Sequence, residues 1–211
     1  MKKLFLLIVL ILVSVSAFAS NTEKVKVNDS INIGVGFQEN EFYILPKSYW
    51  FSGPFVYIYK ETPILKSRNL STMARFDLSS PTIEIQNLDD PENITYDYIE
   101  PFNNQIFNEN YLGLKCTFQV RKNDIVSFGA GLLTNMAYFN FNNIDYLNIN
   151  FGTFLQMEIK QKVSDHFYIN YETCAKEAYY NLGFSDSYTN LINPDFISFG
   201  YDISINFSYI F

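Results

Sequence analysis

Few of the 211 residues carry side chains suited to nucleophilic, acid–base or metal chemistry. The chain has one histidine and two cysteines. His166 follows Ser164 and Asp165, the residue types of a base, a nucleophile and an orienting acid. Such a constellation works only where the three side chains converge within hydrogen-bond reach. Residues in direct succession on a turn diverge, so His166 reads as a solvated turn histidine pointing inward from its strand end, and no enzyme is expected. Cys116 and Cys174 lie in separate segments and on opposite faces of them. A disulfide needs Cα atoms within about 7 Å, so two free thiols are expected. With one histidine and two cysteines, a structural zinc site has too few ligands.

The carboxylates are more plentiful. Between Pro81 and Asn110 lie Glu84, Asp89, Asp90, Glu92, Asp97, Glu100 and Glu109, with no lysine or arginine among them. This stretch lacks the ligand order and turn glycine of a calcium loop. It reads as a solvated acidic loop able to meet a basic surface partner. No metal or cofactor is expected. A second set of charges, Arg75, Asp77, Lys115, Glu158, Lys160, Glu172, Lys176 and Asp202, sits on the polar side of alternating segments. If that side is enclosed, these charges must pair with one another. The formal net charge of −7 excludes a nucleic-acid partner, whose phosphates need a basic surface.

The elements that must position these charges are strands. Tyr (16) and Phe (21) are abundant, and aromatic and β-branched residues suit pleated surfaces. Period-two alternation marks residues 31–38, 70–78, 112–121, 126–134, 147–160, 166–176 and 196–211. Residues 51–60 form an eighth, blurred segment, because 55–59 are all apolar or aromatic and Pro54 interrupts it. Short connections are expected at 61–69, 122–124 and 161–165, and longer loops near 39–50, 81–110, 137–146 and 180–195. Phe42, Tyr43, Tyr49 and Trp50 in the first loop suit an interfacial girdle. Within the acidic loop, 82–86 and 94–99 have the character of strand extensions. Pairing Arg121 with Ile125 aligns the apolar faces of the hairpin around 122–124 and sets Phe118 opposite Phe128.

Residues 1–19 have the form of a secretory signal. Lys2 and Lys3 precede an apolar run from Leu4 to Val13, and Ala17-Phe18-Ala19 offers the small-x-small cleavage pattern. Residues 20–211 then form one domain. No later apolar run is long enough for a spanning helix, so a membrane-spanning chain must close into a barrel.

The last strand ends on Phe211, with Ile203, Ile205, Phe207 and Tyr209 at alternate positions before it. This pattern resembles the C-terminal strand of bacterial outer-membrane β-barrels, where it serves as the assembly signal. The alternation of short and long connections and the even strand count fit the same class. Over its mature length the chain resembles the small outer-membrane barrels of the OmpA-transmembrane, OmpX and OmpW kind.

The resemblance implies an eight-stranded antiparallel up-and-down transmembrane β-barrel, all-β, in a bacterial outer membrane. Its surroundings would be outer-membrane lipids, with the barrel assembly machinery engaging the C-terminal strand. The expected role is non-enzymatic and structural or surface-interacting, with a filled polar lumen. A narrow channel for ions or small solutes is one alternative. A secreted soluble lipocalin-like barrel, with the faces inverted, is another. Bulky Leu, Ile, Phe and Tyr on one face overfill a small interior. The other face is Asn, Ser, Gly and Thr with scattered charges, unlike a soluble surface. Both features favour apolar outside and polar inside.

Overall fold

The period-two segments and parts of the connections between them form eleven strands in a computed structural model. It describes residues 28–44, 47–64, 69–87, 96–99, 105–121, 124–141, 144–185, 188–193 and 197–211. The expected signal, residues 1–19, lies outside the described residues, as do Asp89, Asp90, Glu92 and Glu100. The strands are β1 (Ser30–Ile44), β2 (Lys47–Pro63), β3 (Leu70–Ser79), β4 (Thr82–Asn87), β5 (Tyr96–Ile99), β6 (Ile106–Arg121), β7 (Asp124–Phe141), β8 (Ile144–Lys162), β9 (Phe167–Ser185), β10 (Tyr188–Asn193) and β11 (Ile197–Ile210).

Eight of them, in the order β1-β11-β9-β8-β7-β6-β3-β2, run antiparallel, and β1 also pairs with β2, which closes the sheet into a barrel. The polar faces of these strands turn inward. Leu112 and Phe207 on the outer face are 62% and 61% exposed, whereas the interior Lys115 and Asp202 are 0% exposed. The inverted, lipocalin-like arrangement is therefore not the one observed. Closure satisfies every barrel strand on both edges, which a sheet facing lipid requires.

One end of the barrel carries the chain terminus at Phe211 and the connections 64–69, 122–123 and 163–166; the other carries 45–46, 80–105, 142–143 and 186–196. Several connections are shorter than the sequence suggests. The region 39–50 is mostly the paired ends of β1 and β2, down to Ile44 opposite Lys47. Residues 137–146 are mostly a continuation of β7 and β8, paired to Phe141–Ile144. β9 runs on through 180–185 and β10 folds back on it. Polar residues in these stretches interrupt the alternation without interrupting the backbone ladder, which is indifferent to side-chain polarity. At about 3.3 Å per residue, the 19 residues of β8 or β9 reach well past an apolar band about 25 Å tall.

The hairpin between β6 and β7 also departs from expectation. Phe118 pairs with Val126 rather than Phe128, a shift of two residues: the turn closes one residue tighter, on Arg121–Asp124, and a bulge between Gln119 and Arg121 adds the second. A shift of two preserves both faces, so the rings of Phe118 and Phe128 still approach, diagonally, at 6.4 Å.

β2 is continuous, but its neighbour is not. Residues 55–63 pair with β3 and 47–52 pair with β4, with Ser80 and Pro81 between. Pro81 lacks an N–H for the ladder and packs against Gly53, where a Cβ would lie 3.1 Å from its Cα. Beyond this point the chain leaves β6, which pairs with β3, and β4 pairs with β5 instead. The two patches expected to extend strands thus form a hairpin over the far end of the barrel.

Candidate functional site

The interior is built from residues two apart on each strand, so its chemistry follows from the inward positions. All eight charges of the alternating segments are buried in the lumen. They fall into two groups. Nearer the terminal end, Lys160 Nζ lies 2.7 Å from Glu61 Oε2, and Lys115 contacts Glu158 and, at 3.4 Å, Glu61. The Tyr59 hydroxyl donates to Glu158 Oε1 at 2.5 Å and accepts from Lys115 at 3.2 Å. Ser71 donates to the other oxygen of Glu61.

The second group centres on Arg75. Its Nε and Nη2 hold both oxygens of Asp77, at 2.7 and 2.6 Å, in the bidentate geometry a guanidinium allows. Nη1 bonds Glu172 across the barrel, and Nη2 lies 3.5 Å from Asp202. The guanidinium carbon stands 4.3 Å from the Tyr57 ring centre and 4.8 Å from that of Tyr111. Lys176 joins Glu109 and, at 3.3 Å, Asp202.

Among the described residues, a polar layer and an apolar layer flank the two groups. Toward the termini, Asn170 bonds Asn32, Asn206 and Ser208. Toward the far end, Tyr49, Phe51, Phe107, Phe139, Ile83 and Ile85 form a buried cluster, with Phe51 5.4 Å from Phe107 and 5.9 Å from Phe139. β4 contributes the two isoleucines, so the hairpin side packs into the mouth. On the outside, a concavity of about 640 Å³ lies over Ala74, between Ile58, Phe76, Leu112 and Leu132.

Several placements correct the sequence reading. Glu109 belongs to β6 and is buried beside Lys176, not in the acidic loop. Tyr49 points into the lumen cluster rather than to an interfacial girdle. His166 does not point inward. It is exposed at the turn, its ring 6.1 Å from Tyr209, with Nδ1 3.2 Å from the Ile210 carbonyl oxygen. Asp165 there bonds Lys162 Nζ at 2.7 Å, which holds its carboxyl below the usual range. Asp165 and His166 are thus engaged separately on an exposed turn.

Glu61, Tyr57, Tyr59 and Tyr111 were missed as interior groups. The signal was present for the first three: residues 55, 57, 59 and 61 keep period two. It was masked because the outward face of β2 is also apolar. Cys116 is half-buried on β6 and Cys174 buried on β9, both free. The terminal set Ile203, Ile205, Phe207, Tyr209 and Phe211 is exposed on the outer face.

No protein-family model and no curated protein sequence matches the chain. Solved structures do match in fold. Neisserial surface protein A aligns with a TM-score of 0.52 at 10% identity, over 86% of this chain and 97% of its own. The outer-membrane protease OmpT of Escherichia coli gives 0.52 at 8% identity, over 92% and 100%. OprG of Pseudomonas aeruginosa, an outer-membrane protein, gives 0.52 at 9%, over 90% and 99%. With the closed antiparallel sheet and the apolar exterior, these likenesses identify the fold as that of the small outer-membrane β-barrels.

Proposed function

We propose that this protein is a non-enzymatic outer-membrane barrel with a closed lumen, acting as a structural and surface-interaction protein. The observation that carries this reading is the layered filling of the interior. An asparagine–serine layer, two ion-pair groups and an aromatic cluster succeed one another along the axis. An eight-stranded barrel has room only for its own side chains. In this reading residues 1–19 are removed after Ala19, the terminal strand addresses the assembly machinery, and the end with long connections faces outward.

The interacting surface is the hairpin of β4 and β5. Among the described residues, β5 pairs only with β4, which leaves one strand edge open beyond the barrel. The surrounding segment, 81–110, carries carboxylates and no lysine or arginine. An extended, basic segment of another protein suits both features, because strand addition supplies backbone hydrogen bonds and the acidic residues select the charge. A bound peptide of alternating lysine and valine should be displaced by salt and lost on replacing Asp97 with Pro. Undiminished binding after that change would remove the hairpin edge from the account.

Planar-bilayer recording tests the closed lumen. The expected trace shows no discrete conductance. Reproducible steps that change on replacing Glu158 or Glu172 would favour a narrow channel instead.

A further inference from the structure

The two ion-pair groups differ in charge balance. Among the described residues, the group nearer the termini sets Lys115 and Lys160 against Glu61 and Glu158, two against two. The group around Arg75 sets Arg75 and Lys176 against Asp77, Glu109, Glu172 and Asp202, two against four. All of these side chains are buried. Isolated buried charge is costly, and unpaired carboxylates in a barrel interior must be neutralised by something.

The surplus is concentrated in one place. Asp77, Glu109 and Asp202 each direct an oxygen to a point where the three oxygens lie within 4.8 Å of one another. Asp77 and Glu109 are direct cross-strand partners on β3 and β6, an arrangement that repels unless a cation sits between. Asp202 comes from β11, three strands around the barrel. Its carboxylate is fully buried and accepts no hydrogen bond on either oxygen, although Oδ2 lies 3.3 Å from Lys176 Nζ and 3.5 Å from Arg75 Nη2. Glu109 Oε1 is also without a donor. The cluster therefore has spare negative charge, and acceptors without a donor on Glu109 and Asp202.

We infer that Asp77, Glu109 and Asp202 hold a divalent cation of the calcium type inside the barrel. One such ion balances the four carboxylates against Arg75 and Lys176. The donors are all hard oxygens, which select calcium or magnesium over softer metals. Spacing favours the larger ion. Calcium–oxygen distances of about 2.3–2.6 Å allow two oxygens of one shell to be up to about 5 Å apart, whereas magnesium at about 2.0–2.1 Å holds them closer. The closed ends of the lumen imply that the ion enters as the barrel forms, so its binding is linked to folding. It would tie the β3–β6 wall to β11.

The test uses the mature chain, unfolded in urea with chelator and refolded into detergent micelles with or without calcium chloride. After gel filtration, metal content is measured by elemental analysis and stability by urea titration. The expected result is equimolar calcium in the calcium-refolded protein and a higher urea midpoint than in the chelator-refolded protein. Asp202→Asn should lose both the metal and the calcium-dependent rise. Glu109→Gln should do the same and serves if the first variant does not fold. Wild-type protein that refolds with no more calcium than the chelator control would overturn the inference. So would calcium retained in both variants, or a stability gain on acidification with no metal bound, which would assign the missing charge to protons.

Discussion

The ring of Tyr57 fills the space that a side chain at Gly34 would need. The two are register partners on β2 and β1, and a Cβ at Gly34 would lie 2.5 Å from the ring. Tyr57 in turn carries the Arg75 guanidinium on its face, and its hydroxyl meets Ser204 and Asn206 of β11. A glycine on one wall thus sets the position of the charge that organises the lumen. Gly34→Ala should displace the ring and lower unfolding free energy by about 1–3 kcal/mol, the usual range for overpacking. Gly129→Ala is the control. Its Cβ would lie 3.2 Å from Gln156 Oε1 and 3.3 Å from Met73 Sδ, flexible ends that can yield, with Gln156 Cβ at an ordinary 3.6 Å, so a much smaller change in urea midpoint is expected.

Removing Arg75 leaves Asp77, Glu172 and Asp202 without their shared partner. Arg75→Met should cost about 3–5 kcal/mol, as expected when one member of a buried ion pair is lost. Arg75→Lys should recover only part of this, since an ammonium cannot hold both oxygens of Asp77 while reaching Glu172. Urea unfolding in micelles, followed by intrinsic fluorescence and by the heat-dependent shift in electrophoretic mobility, measures both variants.

Tyr59→Phe deletes one hydroxyl that donates to Glu158 and accepts from Lys115. The expected loss is about 1.5–3 kcal/mol, the range for a hydrogen bond to a charged group. The mobility shift on heating should persist, because the closed sheet does not depend on that hydroxyl.

The cysteines report the two faces directly. In bilayers, a membrane-permeant maleimide should label Cys116, which is half-buried on the outer wall, and spare the buried Cys174. Urea with detergent removed should expose both. Labelling of Cys174 ahead of Cys116 in the folded protein would mean that the faces are reversed.

Leu112 tests the apolar band itself, being 62% exposed on the outer wall. Leu112→Arg should destabilise the bilayer-embedded barrel by about 2–4 kcal/mol if it lies near the midplane. Val163→Arg, on the exposed connection between β8 and β9, should change stability little. Equal effects at the two positions would remove Leu112 from the lipid-facing band.

Most of the barrel was legible because one rule governs it. Where apolar and polar residues alternate strictly, as in β3, β8 and β11, each side chain's face follows from its parity. The rule weakened in β2, where Phe55, Tyr57 and Tyr59 turn inward while Val56 and Ile58 turn outward, so hydrophobicity no longer distinguished the faces. It also failed at strand ends. There the ladder continues where the alternation lapses, as from Ala137 to Phe141, because backbone hydrogen bonds do not read side chains.

The sequence by itself determined the class of fold, the side on which each charge of the regular strands would lie, and the exposure of the terminal strand. Those are consequences of local periodicity. The partners of the charges were decided only by the tertiary structure. Arg75 meets Glu172 from 97 residues away, and Glu109 meets Asp77 and Asp202 at one point. Such meetings depend on closure and on the stagger of eight strands. A tighter turn and a bulge that together shift one hairpin by two residues leave every face unchanged while altering which side chains stand opposite.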